Sequence, residues 1–260
     1  MLQQILKGLA PVAALAATAV LSGCNYSMTV GDTDGVPLAE LDMSGTAPDR
    51  LVLAGPDRVI VSDGDRLAIN VSGDRDAVGL LRFNLEDGTL GIMREGSNWR
   101  DSGTAIVRVT MPSPREITLA GSGEVEAASL SGDEAGATIA GSGSLKVAKV
   151  STRFLDLNIM GSGRFEAEGN ANRLDMNVAG SGSSKMRGLK VGDAEINIAG
   201  SGDGEFASDG SVDANIAGSG TVVVHRRANC TVSSMGSGKV ICRNTDRADN
   251  ARGEEEAAAE

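Results

Sequence analysis

Aromatic residues make up 2% of the 260-residue chain. A thick globular core has little to fill it without rings, so the interior must be thin and built from stacked Val, Ile, Leu, Met and Ala. Positive charge is also scarce. The 24 Lys and Arg face 35 Asp and Glu, a net charge of -11, and a surface of that sign repels phosphate backbones. Nucleic acid is therefore excluded as a partner. The chain has a single histidine, His225, set beside Arg226 and Arg227 near a strand end, where a surface position is expected. No serine of the repeat described below adjoins it, so a Ser/His/Asp set is not signalled. The apolar run at 9–21 falls short of the roughly 20 residues a membrane helix needs, and it reads as an export signal.

That run follows Lys7 and leads into Leu21-Ser22-Gly23-Cys24. Cysteine directly after Leu-Ser-Gly resembles the lipobox of bacterial lipoproteins, which implies that Cys24 is lipidated and becomes the mature N-terminus. The alternative is a plain signal peptide with an incidental cysteine. Several acyl chains on one residue would hold firmly where a single chain binds marginally. Asn25, where an aspartate marks inner-membrane retention in such proteins, favours the outer membrane. The expected partner at this end is thus the membrane, through the Cys24 lipid. Residues 1–23 read as the signal peptide, and 24–48 as the lipidated cysteine with a polar, turn-rich linker.

What the chain has in abundance is glycine, 35 residues, and much of it stands in seven Gly-Ser-Gly copies between 121 and 238. They recur about every 20 residues, the mark of a repeat architecture. Two and four residues before the first glycine the side chains are mostly apolar, as in Ile139 and Ala137 or Ile198 and Ile196; the residue between them is polar. The period is two, so each copy is a strand, a glycine corner and a second strand. One apolar face per copy cannot be buried alone, and stacking the copies about 4.8 Å apart buries it. The serines at the corners would have their hydroxyls within reach of neighbouring coils. Ahead of the repeat, runs at 51–54, 58–62, 67–71, 80–85, 89–94 and 104–111 alternate or are apolar, with Gly, Pro and Asp turns between them, and these also read as strands. Trp99 interrupts them and reads as a cap over the open end of the core or as a ligand platform. The fold class is all-β, a parallel β-helix (β-solenoid) of about 20-residue coils, with 49–114 as its strand-rich opening part and 115–243 as the Gly-Ser-Gly repeat.

The strand ending in Val107-Arg108-Val109-Thr110-Met111-Pro112 and leading into seven Gly-Ser-Gly copies resembles the bacterial head GIN domain family, whose members are described as auto-transporter adhesins. The resemblance covers roughly 49–243 and implies that the parallel β-helix is right-handed and lies outside the cytoplasm. The chain carries no C-terminal span long enough for a membrane barrel, so a lipid anchor would take that place.

The candidate binding face follows from the outward positions. Glu116, Asp156, Asp175, Glu195 and Asp213 stand five residues before a corner, and Asn158, Asn177, Asn197 and Asn215 follow two residues later in the last four of those copies. Stacking makes two adjacent columns, one of carboxylates and one of amides. Stacked carboxylates repel unless neutralised, so a cation, a cationic ligand or a sugar is one reading, and a solvated face with an amide ladder is the other. Calcium-binding nonapeptides need an aspartate after Gly-x-Gly where this chain places Glu124, Ser144, Arg164, Ser183, Asp203, Thr221 and Lys239, so no metal or cofactor is expected. A polysaccharide lyase or hydrolase would need a basic or acid partner beside the carboxylates, and no basic column adjoins them. Cys230 and Cys242, six residues either side of Gly236 on inward positions of the last coil, form a disulfide or remain two buried thiols. The charged tail, 244–260, lacks a core pattern and discourages end-to-end stacking of β-edges. The expectation is a non-catalytic, lipid-anchored envelope protein that binds a glycan or an envelope protein. A polysaccharide-degrading enzyme and a purely structural envelope component are the alternatives.

Overall fold

The computed structural model describes residues 35–96 and 102–243. Cys24, its leader, Trp99 and the tail lie outside the described residues. Among those described, the chain is a β-solenoid of about six turns with coils of about 20 residues. The strands are β1 (Arg50–Ala54), β2 (Arg58–Asp63), β3 (Ala68–Gly73), β4 (Leu81–Glu86), β5 (Thr89–Arg94) and β6 (Ala105–Met111), then β7 (Glu116–Gly121), β8 (Glu124–Ala127) and β9 (Leu130–Gly141). They continue as β10 (Ser144–Gly161), β11 (Arg164–Gly180), β12 (Ser183–Gly200), β13 (Asp203–Ser208), β14 (Ser211–Gly218), β15 (Thr221–His225), β16 (Asn229–Gly236) and β17 (Lys239–Arg243). The strand ranges of the opening part agree with the alternation in the sequence to within a residue or two. One five-residue helix, α1 (Arg75–Gly79), was not legible there.

Each corner is dictated by its glycines. The first glycine of every copy has a positive φ, from 117° at Gly161 to 138° at Gly218, where a side chain is strained. The second lies against the coil before it: a Cβ on Gly163 or Gly182 would collide with Ile139 or Ile159. Successive corners are tied by backbone amides, such as Ser162 N–H to Gly141 O (2.9 Å) and Ser181 N–H to Gly161 O (2.9 Å). The corners are thus tied through the main chain, the serine amides among others.

Inward columns make the core. Leu157, Met176, Ile196 and Ala214 stack in register before the corner, as do Ile159, Val178, Ile198 and Ile216, and all are buried. After the corner, Leu145 and Phe165 give way to Ser184 and Gly204. Met176 explains that break. Its methyl would touch a Cβ at Gly204 at 2.8 Å, and its sulfur accepts the Ser184 hydroxyl at 3.1 Å, so the two small residues leave room for it.

The opening part does not extend the stack in chain order. β1 pairs in parallel with both β5 and β7, and β2 with both β6 and β8. The first coil is therefore sandwiched between later ones. From it the chain climbs through β3 and β4, which pair antiparallel with β6 and β5, before returning. β4 with Leu81 and Phe83, and α1 with Ala77, add their buried side chains to the core there.

Gly55-Pro56-Asp57 joins β1 to β2 as a further corner below the repeat: Gly123 donates to Gly55 O at 3.0 Å and Glu124 to Asp57 O at 2.9 Å. Asp57 occupies the place of the second glycine, so its carboxylate points inward. Arg94 meets it with Nε at 2.7 Å and Nη2 at 2.5 Å, and the Ala105 amide donates at 2.7 Å. A buried carboxylate is tolerable only with partners of this kind.

Candidate binding face

The face that precedes the corners brings every carboxylate and amide singled out in the sequence into register. Asp156, Asp175, Glu195 and Asp213 pair rung to rung, and so do Asn158, Asn177, Asn197 and Asn215. Glu116 is separated from Asp156 by Gly136, which takes the column position between them.

The amides form a continuous ladder. Asn177 donates to the Asn158 carbonyl at 3.2 Å, Asn197 to Asn177 at 3.2 Å, and Asn215 to Asn197 at 3.1 Å. Asn158 and Asn177 also donate to Asp156 and Asp175 on their own strands, at 3.0 and 3.2 Å. Both amide hydrogens of Asn177 are thereby committed within the protein. The amides hold the column together.

The carboxylates remain under tension. Partial burial pushes the Asp156 carboxyl above the ordinary aspartate range, the Asp175 charge pushes it further, and the Asn158 amide pulls it back. Asp175 is raised likewise by burial and then by Glu195, against the Asn177 hydrogen bond and the Arg173 charge. Among the described residues one ion pair reaches the column, Arg173 to Glu195 at 3.1 Å.

A third column was missed. One residue before each corner stand Ala120, Ala140, Met160, Ala179, Ala199, Ala217 and Met235, in register along the stack. Period two places them outward, yet they are apolar, and that contradiction was the available signal. Met160 is 50% and Met235 78% exposed. With the amide ladder as one wall they border a trough of about 600 Å³.

His225 is a correction. It is buried, not at the surface, and its Nε2 lies 2.7 Å from Glu205 Oε1, because the strand pairing that opposes it to Ala207 turns it over the coil beneath. Cys230 and Cys242 are joined by a disulfide with Cα atoms 6.7 Å apart. They continue the inward columns of Val212 and Val224, but in the last described coil Cys230 is half-buried and Cys242 exposed.

Stacked glycine corners and long repeated faces define a β-solenoid whose surface is a set of columns. The chain belongs to the family described as "Putative auto-transporter adhesin, head GIN domain", whose model matches residues 47–228. Among curated proteins none matches it. Solved structures similar in fold include an adhesin from Bacteroides fragilis, titled putative, at 18% identity and TM-score 0.67, covering 76% of this chain and 93% of its own. A protein from Parabacteroides distasonis titled a putative lipid binding protein is 22% identical with TM-score 0.60, covering 76% and 94%. Membership of this family indicates an exported envelope protein, and among the described residues no helix is long and apolar enough to cross a membrane.

Proposed function

We propose that the chain is a non-catalytic binding module of the cell envelope, held to the membrane through a lipid on Cys24 and attaching to an envelope or cell-surface component through the face that carries Asp156, Asp175, Glu195 and Asp213. One observation carries this reading: carboxylates of one sign are held in register against their own repulsion, with Asp156 pushed up by burial and by Asp175, and Asp175 by burial and by Glu195. Charges kept in such an arrangement mark candidate functional surfaces. Repetition along the coils lets weak contacts add, so no single coil needs a strong site. The family's adhesin description and the lipid-binding title of one structural neighbour support attachment to a surface, whether its glycans, its proteins or its lipids. The full chain should bind to cells or envelope extracts, and the double substitution Asp156→Lys with Asp175→Lys should abolish that binding. Absence of binding to any cell, glycan array or envelope extract would remove the proposal. Fractionation with protease shaving of intact cells tests the anchor, with Cys24→Ser expected to release the protein from the membrane.

A further inference from the structure

The two ends of the stack are finished differently. At the end where the chain enters, β4 lies against β5 and Val36 pairs with Phe83. At the other end, among the described residues, β16 pairs with β14 alone and β17 with β15 alone, so each strand has an open edge. Lys239 N–H points back to Gly220 O (3.0 Å), and alternation along the strand turns the amides of Val240 and Cys242 toward that edge. Val232 is 45% and Ile241 40% exposed there, although Val232 continues the inward column of Ala214. Residues 229–243 hold no acid. Lys239 and Arg243 are their only charges, and neither has an ion pair among the described residues. An uncovered apolar edge invites another strand, and solenoids close theirs with a coil whose outer side is polar.

The sequence after Arg243 supplies such a coil in register. Gly253 stands 17 residues after Gly236, and the two coils before it span 18 each. Aligned on that glycine, 256–260 falls on β17 with Glu256 on Lys239, Ala257 on Val240, Ala258 on Ile241, Ala259 on Cys242 and Glu260 on Arg243. Both charges of the edge meet an opposite charge, and the apolar positions between them meet alanine. Before the corner, Asn250 continues the column of Asn215 and Ser233, and Ala251 that of Ile216 and Ser234. Glu255 takes the place of the second glycine. A Cβ at Gly163, Gly182 or Gly238 would first strike a methyl of Ile139, Ile159 or Ile216, and in the coil of Gly236 that column holds Ser234, which has none. Arg247 and Asp249 fall on the inward columns of Cys230 and Val232, where opposite charges two residues apart make the polar outer side that closes a stack.

We infer that the occupant of the open edge is this chain's own segment 246–260, which adds as one further coil with 256–260 parallel to β17 and so keeps other strands away. Alanine and glutamate favour a helix, but a helix this short does not hold alone in water, whereas the edge offers backbone partners and two ion pairs. The inference concerns the end of the stack and stands apart from the question of which face binds.

Amide hydrogen exchange in the full chain, read residue by residue by NMR, tests it. Val240 and Cys242 should exchange about tenfold more slowly than in a chain ending at Thr245, with Val222 and Val224 alike in both. Lys239→Glu with Arg243→Glu should speed exchange at Val240 and Cys242 at least about fivefold, the worth of two exposed ion pairs. Adding Glu256→Lys with Glu260→Lys to that variant should restore the slow exchange. Exchange at Val240 and Cys242 that is the same with and without 246–260 overturns the inference, and so does a first charge reversal that the second fails to compensate. Protection that grows with protein concentration, together with a dimer in light scattering, overturns it in favour of a second copy. Helical Cα shifts over 254–260 overturn it in favour of a free helix.

Discussion

The two faces that meet at each glycine corner handle charge in opposite ways. Before the corner, Asp156, Asp175, Glu195 and Asp213 repeat one sign on four consecutive rungs. After it, Glu126, Lys146, Glu166, Lys185 and Glu205 alternate in sign on five consecutive rungs, three of which carry Asp156, Asp175 and Glu195. Opposite charges facing each other across neighbouring strands stabilise a sheet modestly and like charges destabilise it. The alternating face is thus self-neutralised, and nothing in its column asks for an outside partner. The acidic face is held by its amide ladder instead. The same backbone repeat carries both, so the difference is a property of side chains alone.

The comparison is broken most severely at the corner that joins the faces. Gly163→Val would drive a branched side chain into Ile139, and a loss of about 3 kcal/mol is expected by chemical denaturation, from overpacking in a closed stack. Ser162→Val, one residue away and exposed, should stay within about 0.5 kcal/mol. Removing one amide from the ladder is a smaller change. Asn177→Leu takes the donor from the Asn158 carbonyl and the acceptor from the Asn197 amide, where water can partly replace them, and about 1 kcal/mol of destabilisation is expected.

Two further substitutions test the charge contrast itself. Asp156→Asn with Asp175→Asn should stabilise the protein at neutral pH, by less than about 1 kcal/mol because these half-buried charges are screened. The folded state holds both carboxyls above their unfolded pKa, so it binds more protons and the ionised form carries the penalty. That penalty is complete above the raised values, shrinks as pH falls through them, and is absent below the ordinary aspartate value. Stability curves of variant and parent should therefore converge on acidification. Lys185→Glu on the other face would place three acids in succession with Glu166 and Glu205, and about 0.5 kcal/mol should be lost at low salt and recovered at high salt.

Much of this was legible before the structure. Alternation of apolar and polar residues placed the strands, and the spacing of Gly121, Gly141, Gly161 and their successors put Asp156 beside Asp175 and Asn158 beside Asn177. A repeat shows which coils are alike, and like coils stack in order. It could not show the order of the opening part, because the reversal through β3 and β4 depends on antiparallel pairing with strands that come later in the chain. Helix α1 is too short to display a helical period. His225 was misplaced because its burial comes from Glu205, a coil away, while its sequence neighbours are two arginines. The Ala and Met column escaped because alanine looks like a spacer in a strand. Only its outward register makes it informative.

The sandwiched first coil has a mechanical consequence. A pull applied from the N-terminal side first parts Val36 from Phe83, which are joined by hydrogen bonds of 2.8 and 2.7 Å. The load then reaches β1 inside the stack, where it shares one ladder with β5 and another with β7. A terminal coil could be peeled away one bond at a time. An interior strand must shear two ladders at once, so the chain enters the solenoid at a place suited to bearing tension.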